Sequence, residues 1–203
     1  VCGPGVVTGR LQSLVEAEGL FYPPDPNSLE YCAIGGNVAE NAGGPRAYKY
    51  GVTREYVLGV EAVLMGGTTI HAGRRTVKGV TGYDVVGTMV GSEGTLAVFT
   101  ELTLRLVARP PRIVTLLSLF SDVRAAGAAV SGLVAAGQRP RCLELFDDGA
   151  LEALRSAGAA IDPRARALLL IEVDGEEEVE RDFVRVGDVC TAAGAIEVQV
   201  AQD

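Results

Sequence analysis

Residues 32–44 read CAIGGNVAENAGG, with four glycines, two asparagines and a single charged side chain, Glu40. Glycine lacks a Cβ, so a ligand can lie directly on its main chain. Successive N–H groups in glycine-rich turns form a concavity suited to anions. Gly35, Gly36 and Gly43 could supply such a surface, and Asn37 and Asn41 add neutral donors and acceptors. The alternative is a set of tight turns with no chemistry. The run is not a Walker loop, because no G-K-[ST] follows, and it lacks the G-x-G-x-x-G spacing. A second cluster, GSEGTLAVFT, occupies residues 91–100. There Glu93 could accept from a ribose hydroxyl, Gly94 and Thr95 could bring main chain against a flat ring, and Val98 could cover its face. The plain alternative is a turn leading into an edge strand.

The flanking elements must hold these two runs in place. Thr8 is the predicted N-cap of a helix in which Leu11, Leu14, Val15 and Leu20 recur at roughly helical spacing, with Gly19 as its stop. Residues 21–31, FYPPDPNSLEY, place three prolines in four positions and predict a rigid extended loop. Residues 57–64 and 68–72 predict a hairpin about Gly66 and Gly67. Tyr83, in KGVTGYD, is expected in the core. Leu102, Leu104 and Leu106 alternate with Thr103 and Arg105, the pattern of a half-buried strand. Pro110 and Pro111 break it, which puts a domain boundary between residues 1–109 and 110–203. Beyond it, strands at 113–120, 141–146, 167–173 and 195–202 alternate with helices at 121–137, 147–158 and 176–194. The last helix turns Val179, Phe183, Val186 and Val189 inward and gathers acids at its start, where they suit the helix dipole. The class is α+β, with helices laid on one face of a mostly antiparallel sheet.

The chain has 203 residues and a net charge of −8, from 18 Lys and Arg against 26 Asp and Glu. That balance argues against a nucleic-acid partner, whose phosphates are bound by Lys and Arg. No apolar run reaches bilayer length, and no signal peptide heads the chain. Cys2, Cys32, Cys142 and Cys190 form no C-x-x-C pair, and His71 is the single histidine. They make a poor zinc set, so no metal is expected, and free thiols in a reducing cytoplasm are the simplest reading. His71 is expected on an exposed strand, with no activated base beside it. The opening VCGPGVVTG has no Met and no polar tail, and leads us to expect a piece of a longer protein.

Taken in order, GLFYPPDPNSLEYCAIGGNVAENAGGPRAYKYGVTREYVLGVEAVLMGG and then RTVKGVTGYDVVGTMVGSEGTLAVFTELTLRLV resemble the FAD-linked oxidases of the vanillyl-alcohol-oxidase type. Within them the likeness is to the D-type subunit of glycolate oxidase and to the FAD-dependent D-lactate and D-2-hydroxyacid dehydrogenases. It is strong over residues 1–109 and looser beyond, where LELFD and LLLIEVDG resemble the start of the family's substrate-capping domain. The implied fold is the second half of a PCMH-type FAD-binding domain, followed by a ferredoxin-like antiparallel sheet from the FAD-linked oxidase C-terminal domain.

The resemblance also implies roles. Asn27, Ser28, Cys32 and Ala33 would lie along the ribityl and pyrophosphate region of FAD. Gly35, Gly36 and Asn37 would line the same groove, with Asn41 and Gly43 toward the isoalloxazine. Glu93, Gly94, Thr95 and Val98 would hold the adenosine end. Three positions depart from the family: Ala97 stands where a glycine is usual, implying a tighter adenine fit, Phe99 where an aliphatic residue is usual, and Cys32 where a small polar residue is common, so that Cys32 is expected to pack and not to react. The family's earlier pyrophosphate loop and its later histidine motif are not in this stretch. The implied activity is oxidation of a small 2-hydroxy acid to the 2-oxo acid, with FAD as hydride acceptor and electrons leaving to a non-NAD carrier. The isolated chain is expected to be inactive, and no residue in it is identified as the catalytic base. Other oxidase subunits are implied partners, and the implied location is the cytoplasm, peripheral to the inner membrane through those subunits. Self-association through an uncovered apolar face is a further expectation. A different class of reading is a cofactor-free structural or assembly subunit that keeps the fold without the flavin.

Overall fold

The computed structural model describes residues 1–76 and 78–201. The chain divides into two compact units, Val1–Arg109 and Pro110–Asp203.

The first unit runs α1 (Thr8–Glu16), β1 (Leu20–Phe21), α2 (Ile34–Glu40), α3 (Ala47–Tyr50), a 3-10 turn (Thr53–Tyr56), β2 (Val57–Leu64), β3 (Thr69–Gly73), α4 (Val85–Met89), β4 (Ala97–Leu104) and β5 (Val107–Ala108). Strands β3-β2-β4 form an antiparallel sheet, and β1 pairs with β5. Along β4, Ala97, Phe99 and Leu102 are buried while Val98 and Thr100 are exposed, the alternation expected of a sheet with one covered face. The register shift between Glu61 and Ala62 carries that alternation across a bulge. The core gathers Tyr22, Ile34, Val38, Val60, Ala62, Phe99 and Leu102. Gly19 ends the first helical segment with a left-handed backbone. Leu14, expected inward, is exposed, and Gln12 is buried in its place. The Gln12 amide explains the exchange: it donates to the carbonyls of Tyr22 and Pro24, which lie in a proline-rich stretch poor in backbone donors.

The second unit is β6 (Arg112–Phe120), α5 (Val123–Ala135), β7 (Cys142–Phe146), α6 (Asp148–Ser156), β8 (Ala167–Gly175), α7 (Val179–Ala192) and β9 (Ala195–Val200). Its strands pair antiparallel in the order β7-β8-β6-β9. Residues 167–171 of β8 are a continuous apolar run because this inner strand is covered on both faces. Ala167, Leu169, Ile171 and Val173 pack with α5 and α7, whereas Leu168 packs with Leu151 of α6. The two long helices thus share one face and the short α6 takes the other. Asp122 and Asp147 cap α5 and α6, the first carboxylate accepting from the N–H groups of Arg124 and Ala125 and the second from that of Ala150.

Candidate cofactor-binding site

The glycine run is a helix at its centre, although two of the seven residues of α2 are glycine and glycine is a poor helix former. Tertiary contacts hold it. Ile34 and Val38, one turn apart, are both fully buried. At its start, the N–H of Ile34 donates to Val6 O at 2.9 Å and that of Gly35 to Pro4 O at 2.8 Å. A Cβ on Gly35 would lie 2.5 Å from the Pro4 Cβ, so glycine there serves close packing of the chain on itself. Asn37 is buried, and its side-chain amide donates to Thr8 Oγ1 at 2.7 Å. Thr8 in turn donates its hydroxyl to Cys32 O and sits 3.2 Å from the Cys32 sulfur. Thr8, read from the sequence as a cap, is the first residue of α1 and ties three parts of the site together.

Helices leave their last carbonyls without intrahelical partners. In α2 these are met by the second glycine cluster. The Gly91 N–H donates to Val38 O at 3.0 Å and the Glu93 N–H to Ala39 O at 2.9 Å. The two runs, far apart in sequence, are therefore bonded neighbours. Asn41 closes the helix in the left-handed conformation, at φ 53°, which asparagine tolerates better than most residues. Its side-chain oxygen accepts from the Arg54 backbone N–H at 2.9 Å. The Arg54 guanidinium donates to the carbonyls of Gly87 and Val90, immediately before the second turn.

The remaining predicted residues fall into two sets. Asn27 and Ser28 are exposed, and Ser28 O accepts from the N–H groups of Tyr31 and Cys32. Ala33 is the residue before α2, and Gly43 lies against Val52. Gly36 is exposed, and a Cβ added to it would meet no heavy atom within 4 Å. Among the described residues no carbonyl accepts its N–H. Glu93 and Gly94 both have positive φ, 53° and 72°, and space is open beside Gly94. Thr95 holds the turn by bonding to Ser92 O through its N–H and its hydroxyl. Val98 is 67% exposed beside Leu96 at 44%. The Ala97 methyl is buried in the core, so this departure from the family bears on packing and not on the open face. Phe99 likewise points inward. Tyr83 lies at the surface, 98% exposed, and the core expectation for it is corrected: the prolonged loop before α4 gives its ring nothing to pack beneath. His71 is exposed on β3, with its Nε2 2.8 Å from Glu61 Oε2. No group of acidic, cysteine or histidine residues among those described could hold a metal ion.

Sequence reasoning missed Pro4 and Arg54. Their bonds reach residues far along the chain, beyond any periodicity that could announce them. Arg54 also lines a cleft of about 600 Å³ with Gly73, Asp84, Val86 and Arg105. None of the predicted cofactor residues lines that cleft, and the bonded pair of glycine turns is the better candidate because its bare main chain is specific.

Comparison with known proteins bears on what such a surface holds. Residues 1–73 match the family model of the FAD binding domain, and residues 109–203 match that of the FAD linked oxidases, C-terminal domain. The chain belongs to the FAD-linked oxidases. Glycolate oxidase subunit GlcD of Bacillus subtilis is 45% identical over 201 residues, covering 98% of this chain and 43% of that protein. Glycolate oxidase subunit GlcD of Escherichia coli K12 is 40% identical, over 98% of this chain and 40% of its own length. D-lactate dehydrogenase of Archaeoglobus fulgidus is 36% identical, over 99% and 44%. The chain thus spans less than half the length of these relatives. Among solved structures, alkyldihydroxyacetonephosphate synthase superposes with a TM-score of 0.80 over 99% of this chain and 39% of its own, at 20% identity, and shares the fold.

The cofactor that names the family can be tested against the residues present. A dinucleotide needs main chain it can lie against, and Gly36 and Gly94 leave such space open. Ser92 Oγ, inside the second turn, is buried with no hydrogen-bond partner among the described residues, a polar atom left over at the site. The surface fits a phosphorylated flavin. Gly35, by contrast, is already filled by Pro4.

Proposed function

We propose that this chain carries part of the flavin surface of an FAD-dependent oxidoreductase that converts a small 2-hydroxy acid, of the glycolate or D-lactate class, to the 2-oxo acid. The observation that carries the reading is Gly36. It sits in a helix, where glycine costs about 0.5–1 kcal/mol relative to alanine. It has no positive φ and no neighbour that would crowd a Cβ. Folding of the described residues gives no reason for glycine there, whereas a ligand lying on the main chain does.

In this reading the N–H of Gly36 and the main chain at Gly94 receive the phosphorylated half of the cofactor, with Asn27, Ser28, Cys32 and Ala33 beside the first and Glu93, Thr95 and Val98 beside the second. Asn37 acts from behind, by pinning the run on Thr8, and Asn41 and Gly43 shape its exit. Val98 and Leu96 offer apolar side chains that exclude water from a flat ring. When bound, FAD supplies the hydride acceptor for oxidation at the α-carbon of the substrate. The electrons pass on to an acceptor other than NAD, and other oxidase subunits are the partners. No helix among the described residues is long and apolar enough to cross a membrane, and the proposed location is the cytoplasm, peripheral to the membrane through those subunits.

Gly35 and Gly43 favour the cofactor-free reading, since contacts with Pro4 and Val52 account for them within the chain. The two readings separate in a titration of the purified chain with FAD, followed by flavin fluorescence and the visible band. Saturable quenching with a resolved shift of the band supports the flavin surface. An unchanged spectrum at high FAD removes it.

A further inference from the structure

We infer that Arg54 is a positioning residue that sets the spacing between the two glycine turns, and with it the grip on the phosphorylated half of the flavin; this rests on the flavin reading above. Three bonds converge on Arg54. Its backbone N–H is held by the Asn41 side chain at 2.9 Å, at the end of the first run. Its guanidinium spans the carbonyls of Gly87 and Val90, the latter at 2.7 Å, at the start of the second. A Cβ on Gly91 would lie 3.2 Å from the Asn41 Cβ and 3.3 Å from an Arg54 guanidinium nitrogen. The clamp therefore closes onto Gly91, whose N–H is bonded to Val38 O of α2.

The chemistry of the side chain fits this task. A planar guanidinium directs donors at two acceptors at once, which a lysine ammonium cannot reproduce in the same fixed geometry. Both acceptors are neutral carbonyls near the end of α4, where a cation is favourable. Among the described residues Arg54 makes no ion pair, and Asp84 and Glu55 are engaged with the N–H groups of Gly87 and Val52. The positive charge beside Gly91 is thus left uncompensated by any bonded carboxylate, in a chain of net charge −8. That is a suitable background for a dianionic pyrophosphate on the adjoining main chain.

The test is amide exchange by NMR together with flavin titration, on the chain itself and on Arg54→Gln, Arg54→Lys and, as a control for lost charge in the same cleft, Arg105→Gln. In Arg54→Gln the N–H groups of Gly91 and Glu93 are expected to exchange about ten-fold faster or more, the loss expected for hydrogen bonds to a charged group. Those of the β2–β4 ladder should change less than about two-fold, which reports that the fold is intact. FAD affinity should fall about ten-fold while riboflavin, which lacks the phosphates and adenosine, is held within about two-fold. Arg54→Lys should lie between, and Arg105→Gln should match the parent chain. Unchanged exchange at Gly91 and Glu93 overturns the clamp. Faster exchange with an unchanged ratio of FAD to riboflavin affinity overturns its role toward the cofactor. A parent chain that binds no FAD overturns the flavin reading itself, a result distinct from either.

Discussion

Gly35 and Gly36 are adjacent, chemically identical and differently constrained. The first has no room for a methyl group, because Pro4 stands where its Cβ would go; the second faces open space. Gly35→Ala is expected to destabilise the first unit by about 1–3 kcal/mol through overpacking. Gly36→Ala is expected to stabilise it by about 0.4–1 kcal/mol, through the unfolded chain's lost freedom, and to weaken FAD binding. Urea unfolding of both variants gives the two signs, and the FAD titration gives the third result. A Gly36→Ala chain that gains stability and binds FAD as before would leave that glycine with no role. The two positions look the same in the sequence, since what separates them is a proline far upstream.

At the scale of elements, α2 is too short to persist alone, and it exists because both its ends are bonded to distant main chain. The run of turns read from its glycines is for that reason a helix flanked by turns. By contrast α5, α6 and α7 carry local signals, an aspartate cap in the first two and apolar spacing behind an acidic start in the third, and all three lie within the ranges read from the sequence. Another local device closes the loop between α6 and β8. There the Asp162 carboxylate accepts from the Arg164 guanidinium and backbone N–H, and this holds its pKa down to about 2. The folded value lies below the ordinary aspartate value of about 3.9. The stabilisation is accordingly complete above about pH 4 and is lost as pH falls through about 2. A carboxyl titration followed by NMR should give that low midpoint, and Arg164→Gln should return it toward the ordinary value. A midpoint near the ordinary aspartate value in the parent chain would refute the contact.

For the whole molecule, each unit has its own apolar core, around Ile34 and Phe99 in the first and around Leu169 and Ile171 in the second. The first unit also leaves large apolar side chains in water: Tyr31 at 88%, Val80 at 82%, Tyr83 at 98% and Val98 at 67% exposure. Scattered exposed apolar residues are ordinary, but several large ones in one small unit favour association. The purified chain is expected to self-associate with rising concentration, read as an increase in mass by light scattering. Saturating FAD is expected to reduce it by covering Val98. A mass that stays monomeric over a wide concentration range would count against this.

The sequence alone determined the strands and helices of the second unit, the β2–β3 hairpin, the presence of two separate glycine clusters and the family to which the order of motifs belongs. These rest on local propensity, on periods of 2 and 3.6, and on motif order, all written in neighbouring residues. Only the tertiary structure decided that the two clusters are bonded to each other through the carbonyls of α2, that Arg54 clamps them, that Tyr83 is outside, and that Gly36 alone among the glycines of α2 is left open. Those outcomes depend on which carbonyls, prolines and side chains arrive from distant parts of the chain, and such contacts carry no period for a linear reading to detect.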